Sequence, residues 1–214
     1  MLKKIIAEFI GTSFLLMVIV GSGIMGESLT NDQGLVLLSN SLATGAGLIA
    51  LIWIFEPISG AHFNPAVSLL MFLNGKIKLK EFSIYTVSQI CGGVIGVLLA
   101  NLMFDLPAIE VSEKIRGGSN IYLSEFIATF GLLLLILIIS IKNPKAIAPS
   151  VGLYITAGYW FTSSTSFANP AVSIARSFTN TFTGICPNNV IYFIVMQITA
   201  VIIVFLTGKI LLKD

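Results

Sequence analysis

One pentapeptide occurs twice. Asn64-Pro65-Ala66-Val67-Ser68 is repeated, residue for residue, as Asn169-Pro170-Ala171-Val172-Ser173. An Asn followed by Pro is a strong helix-start signal, because the Asn side chain caps free backbone N–H groups and Pro is preset for the first helical position. The apolar run after each copy is too short to cross a bilayer: Leu69 to Leu73 after the first, Ile174 to Phe182, mixed with polar residues, after the second. The repeat therefore predicts two half-helices.

The chain around them is membrane-like. Its 214 residues are 56% hydrophobic and 10% charged, with mean hydropathy +0.96. Soluble domains carry about a quarter charged residues. A net charge of +2 gives no reason to expect a nucleic-acid partner. Cys91 and Cys186 are too few for a disulfide framework and read as unpaired fillers. Lys3 and Lys4 before an apolar run imitate a signal peptide, but Glu8 interrupts the run and no small-residue cleavage site follows; a retained first span is expected.

Six stretches suffice to cross a bilayer: about 5–25, 35–55, 83–104, 121–141, 147–164 and 189–212. The order is span, span, half-helix, span, then the same again. A second match supports the division: Ala7-Glu8-Phe9-Ile10-Gly11-Thr12 opens the first span and Ser124-Glu125-Phe126-Ile127-Ala128-Thr129 the fourth. Three spans per half, an odd number, make the halves insert with opposite orientations. The expected unit is a single domain over 1–214, with repeats of about 1–104 and 121–214. Lys3, Lys4, Lys76, Lys78, Lys80, Lys142, Lys145, Lys209 and Lys213 fall on one side of this topology; Lys114, Arg116 and Arg176 fall on the other. The excess of positive charge puts both termini in the cytoplasm and the 105–120 loop outside. Glycines in the second, third and fifth spans allow close helix packing, and Tyr159-Trp160-Phe161 reads as an interfacial aromatic belt.

Two N-P-A copies, with Ser59-Gly60-Ala61-His62-Phe63 before the first, resemble the major intrinsic protein (aquaporin) family. The resemblance implies an all-α, aquaporin-like fold of six transmembrane helices and two re-entrant half-helices in an inverted repeat. It also implies a homotetramer with one pore per subunit, in the plasma (inner) membrane of a bacterial cell. Asn64 and Asn169, with Pro65, Ala66, Pro170 and Ala171, are then expected at the pore midplane. There the positive helix ends and the Asn amides would orient a passing oxygen and repel protons and cations. Plain helix capping is the bland alternative for the two Asn.

Glu8 and Glu125 each place a carboxylate in an apolar span, which costs several kcal/mol unless it is satisfied. One Glu per half, matched to one re-entrant loop per half, favours acceptance of loop N–H bonds over proton carriage. His62 reads as a packing or loop-fixing residue, with a pH-sensitive gate as the minority alternative.

The family's water channels narrow at an aromatic on the second span, a His on the fifth, a loop residue and an Arg directly after the second N-P-A. Here the residue after Ala171 is Val172. Counting places Thr44 at the second-span position, Gly158 or Tyr159 at the fifth and Ser166 in the loop. The expected constriction thus has hydroxyls and no fixed cation, and is wider than a water-only pore unless Tyr159 fills the space. Glycerol facilitators carry Arg-Asp where this chain has Val172-Ser173, so it fits neither main branch; it is similar to arsenic-associated bacterial homologues with an Asn-Pro-Ala-Val segment. Arg176, four residues after Val172, lines the outer vestibule or pairs with Glu110 or Glu113; the sequence leaves both open. The expected function is passive passage of small neutral solutes such as polyols and metalloid hydroxides, with water left open. No nucleophile–base pair, metal cluster or phosphate loop suggests an enzyme or a cofactor. The competing functions are a proton-coupled transporter using Glu8 and Glu125 and a non-conducting scaffold.

Overall fold

The computed structural model describes residues 1–212, so Lys213 lies outside the described residues. Eight α-helices follow in order: α1 Leu2–Leu29, α2 Gln33–Ser59, α3 Pro65–Leu73, α4 Leu79–Met103, α5 Ser119–Lys142, α6 Ile147–Phe161, α7 Pro170–Ala175 and α8 Pro187–Leu211. Among the described residues, five are long and apolar enough to cross a membrane: α1, α2, α4, α5 and α8. Two differences from the sequence expectation concern length. The fifth span was expected over 147–164, but α6 has 15 residues, about 22 Å of helix. A 3-10 turn, Pro144–Ala146, precedes it, and an extended Thr162 ends it. The second half-helix stops at Ala175; a 3-10 turn over Arg176–Phe178 and an extended Thr179 end the run that was expected to reach Phe182.

The helices form an inside-out bundle. Trp53, Ile54, Val87, Leu99, Ile203 and Leu206 are exposed, whereas Glu8, Gln89, Glu125 and Gln197 are fully buried. In water such an arrangement would be unstable; against lipid it is the expected one, since lipid is as apolar as leucine. α1 packs along α4 and α2, α5 along α8, and α2 crosses α6. Glycine makes two of these contacts possible. A Cβ on Gly92 or Gly96 of α4 would run into the backbone carbonyls of Phe9 and Ser13 on α1. At the α2–α6 crossing, a Cβ on Gly45 would lie 2.8 Å from the carbonyl of Gly152, and one on Gly152 2.6 Å from that of Gly45.

The short helices fold inward. α3 packs on α4 and α8, and α7 on α4 and α8. The loops leading to them carry matched backbone conformations. Ala61 and Phe63 have φ of 48° each, and Ser166 and Ala168 have φ of 52° and 48°. These are left-handed conformations at non-glycine residues, each costing about 1–3 kcal/mol, and they persist only where the surroundings impose them.

A candidate pore between two half-helices

Glu8 and Glu125 impose them. Glu8 Oε1 accepts from Ser59 Oγ at 2.6 Å and from His62 N at 3.0 Å; Oε2 accepts from Phe63 N at 2.7 Å and Gln89 Nε2 at 2.8 Å. Glu125 Oε2 accepts from Phe167 N at 3.2 Å, and Oε1 from Ala168 N at 2.5 Å and Gln197 Nε2 at 2.7 Å. Each carboxylate thereby satisfies the loop donors that lipid could not. Gln89 and Gln197 were not singled out from the sequence. Each is a fully buried amide in a span and also bonds a serine of the pentapeptide, Ser68 or Ser173, at 2.9 Å. One Gln in an apolar stretch of each half was the available signal.

The two tips meet. Asn64 Oδ1 accepts from Ala66 N at 2.8 Å, and Asn169 Oδ1 from Ala171 N at 2.9 Å, so both residues cap their helices. Their amides also cross: Asn64 Nδ2 donates to the Ala168 carbonyl at 2.7 Å and Asn169 Nδ2 to the Phe63 carbonyl at 2.8 Å. A primary amide has two N–H donors. One on each Asn braces the opposite loop, which leaves one for a solute.

A cavity of about 260 Å³ runs past both tips. Its wall includes Glu56, His62 and Ser140 as well as Thr44, Tyr159, Ser166 and Arg176. Much of it is built from matched residues. Val67 and Val172 each lie three places after their Asn, and Leu15 and Ile19 stand to Glu8 as Leu132 and Ile136 stand to Glu125. Three pairs at matched distances from the Asn differ in chemistry. Three places before it stand Ala61 and Ser166, two places before it His62 and Phe167, and seven places after it Met71 and Arg176.

His62 Nδ1 lies 3.0 Å from Ser68 Oγ, and its ring meets Tyr85 edge-on at 5.3 Å. Of the two fifth-span candidates, Tyr159 is on the cavity wall, with its Oη 3.2 Å from Thr44 Oγ1. Gly158 instead packs on Ser166, whose Oγ would lie 2.6 Å from an added Cβ. Tyr159 is 3% exposed and does not belong to the lipid-facing belt; Trp160 and Phe161 are exposed.

The sequence left two settings open for Arg176. The residue is 2% exposed, and it forms no ion pair with Glu110 or Glu113. Those residues bond through their backbone N–H groups, to the Phe178 carbonyl and to Asn180 Oδ1. Arg176 turns inward: its Nε donates to the Thr183 carbonyl, and its guanidinium lies 3.5 Å from the centre of the Phe167 ring. Arg176 thus shares a cavity wall with Val172, supplied from the turn after α7. Arg116, in the loop before α5, was read only as an outside charge. It donates to the carbonyls of Gly184 at 2.8 Å and Phe182 at 3.1 Å, and its guanidinium is 5.1 Å from the same Phe167 ring. Burial lowers its pKa to about 10, with Tyr159 and Glu125 opposing the shift. Lys114 donates to the Phe182 carbonyl at 2.6 Å; burial, then Arg116 and Arg176, lowers its pKa to about 8 against Glu27.

An apolar bundle with two capped half-helices meeting tip to tip beside a lined cavity defines a membrane channel. The comparisons place it further. The family model for major intrinsic proteins matches residues 1–156, and the chain belongs to that family. It is 49% identical over 196 residues to the aquaglyceroporin AqpS of Rhizobium meliloti (strain 1021), covering 92% of this chain and 84% of that protein. A probable aquaporin of the TIP type from Medicago truncatula is 35% identical over 188 residues, covering 80% and 73%. The X-ray structure of the aquaglyceroporin from Plasmodium falciparum superposes with TM-score 0.78 at 23% identity, covering 99% of this chain and 97% of that one, and shares the fold. Family members are membrane channels for small solutes, not enzymes.

Proposed function

We propose that the chain conducts small uncharged solutes passively through the cavity beside Asn64 and Asn169, with polyols and neutral metalloid hydroxides as its main cargo. The observation that carries this reading is the crossed amide pair. It fixes two positive helix ends at one level and leaves one N–H per Asn for a solute oxygen. The name of the Rhizobium meliloti relative, an aquaglyceroporin, agrees with polyol cargo. Thr44, Tyr159, Ser166 and Val172 are the proposed constriction, with Arg176 at its outer side. The Tyr159 ring takes the room that small Thr44 leaves, so the width is set from α6 rather than α2. Water passes as a second permeant. We place both termini in the cytoplasm, the protein in the inner membrane of a bacterial cell, and four copies in the assembly.

The carboxylates favour a channel over a proton-coupled carrier. Glu8 and Glu125 spend their oxygens on loop N–H groups, which holds the two carboxyls in place. Stopped-flow swelling of proteoliposomes with glycerol, urea and arsenous acid tests the proposal. Flux of glycerol or arsenous acid well above empty vesicles, cut sharply by Val172→Arg, is the expected result. Flux of none of them would refute it.

A further inference from the structure

Arg176 is buried and carries a charge that no carboxylate answers. Its Nε is occupied by the Thr183 carbonyl and its flat face by Phe167. Among the described residues, Nη1 and Nη2 have no hydrogen-bond partner, although the residue is 2% exposed and on the cavity wall. The candidate counter-charges are engaged elsewhere. Both oxygens of Glu125 are used by Phe167 N, Ala168 N and Gln197, and Glu27 accepts from Phe182 N at 3.0 Å. The ion pair among the described residues is Lys4–Glu81. Arg116 shares the Phe167 ring and Lys114 shares the Phe182 carbonyl, so three cations bear on this end of the cavity.

We propose that the free edge of the Arg176 guanidinium is an oxyanion-binding subsite at the outer end of the pore, and that a small tetrahedral oxyanion held there plugs the path for neutral solutes. A guanidinium edge matches two oxygens of sulfate or phosphate at once, and the pairing strengthens where water is scarce. Arg116 and Lys114 stand behind the cavity wall and not on it, so the wall offers the anion no second arginine or lysine to move to. The position matched to Arg176 in the other half is Met71, and Leu132, Ile155 and Val172 are apolar parts of the same wall. Sulfate and phosphate therefore bind without passing.

The plug rests on the proposed solute path; the subsite does not. Two measurements separate them. In proteoliposomes, sulfate at constant ionic strength is expected to lower glycerol flux saturably, while chloride does not. Each protein is normalised to its own sulfate-free flux. Arg176→Gln is expected to lose this sensitivity and Arg176→Lys to keep it several-fold weaker. In detergent, sulfate is expected to raise the thermal unfolding midpoint of the wild-type protein beyond chloride at equal ionic strength, an effect absent in Arg176→Gln. Should the wild type conduct no solute, or the variant fail to fold, the wild-type midpoint decides. A midpoint that ignores sulfate, or a response that survives Arg176→Gln, overturns the subsite. A rise in midpoint with glycerol flux unaffected overturns the plug.

Discussion

The hydroxyl of Tyr159 lies 3.2 Å from the hydroxyl of Thr44, across the joint between α6 and α2. Both residues are on the cavity wall, and one is as large as the other is small. In the proposed constriction, the width on this side is set by one ring. Tyr159→Ala is expected to raise flux of four- and five-carbon polyols several-fold relative to glycerol. Tyr159→Phe keeps the ring, loses a hydrogen bond worth about 1 kcal/mol, and is expected to leave the size cut-off in place. Swelling rates across a polyol series distinguish the two.

Glu125 accepts three hydrogen bonds in a site with no access to water. Glu125→Gln turns one acceptor into a donor facing donors. One or two buried donors are left unsatisfied, at about 1–3 kcal/mol each, a large share of a typical stability of about 5–15 kcal/mol. The expected outcome is little or no correctly folded protein by size-exclusion chromatography. A well-folded Glu125→Gln variant with normal flux would remove the loop-holding role.

Gly92 and Gly21 predict opposite outcomes for the same change. A Cβ on Gly92 runs into the Phe9 carbonyl, whereas one on Gly21 meets only Phe104 at an ordinary 3.4 Å. Gly92→Ala is expected to destabilise by about 1–3 kcal/mol through overpacking. Gly21→Ala is expected to be neutral or to gain up to about 1 kcal/mol of helix propensity. Thermal unfolding in detergent measures both.

Lys114 gives the outer loops a pH dependence. Its pKa falls from 10.5 to about 8 on folding, chiefly through burial. Below pH 8 the side chain is protonated in both states, and the cost of burying the charge is present in full. Between about pH 8 and 10.5 the unfolded chain holds more protons than the folded one, so stability rises with pH across that window. The unfolding midpoint of the wild type is expected to climb more, or fall less, from pH 8 to 10 than that of Lys114→Met. Parallel curves would contradict the assignment.

Much of this was legible in the chain because it is written twice. The repeated Asn-Pro-Ala-Val-Ser fixes both half-helix starts, and the paired Glu8 and Glu125 point to the loops they hold. The phase of α6 was not legible. In a membrane bundle both faces of a helix are apolar, so hydropathy could not choose between Gly158 and Tyr159, and packing of Gly158 on Ser166 decided it. Nor was the direction of Arg176. It depends on α7 ending at Ala175 and on the Phe167 ring lying beneath the guanidinium, a contact between positions nine residues apart that helical spacing does not encode. Arg116 was hidden for a similar reason, since its carbonyl partners Phe182 and Gly184 follow 66 and 68 residues later.

The central claim is that solutes pass Asn64 and Asn169 without a driving proton. It is tested most directly by measuring glycerol flux and internal pH together in the same proteoliposomes, with and without an imposed pH gradient. The account predicts glycerol flux that is linear in concentration, identical under both conditions and unaccompanied by proton entry. Glycerol flux that saturates and rises with the proton gradient, or that brings protons with it, would contradict it.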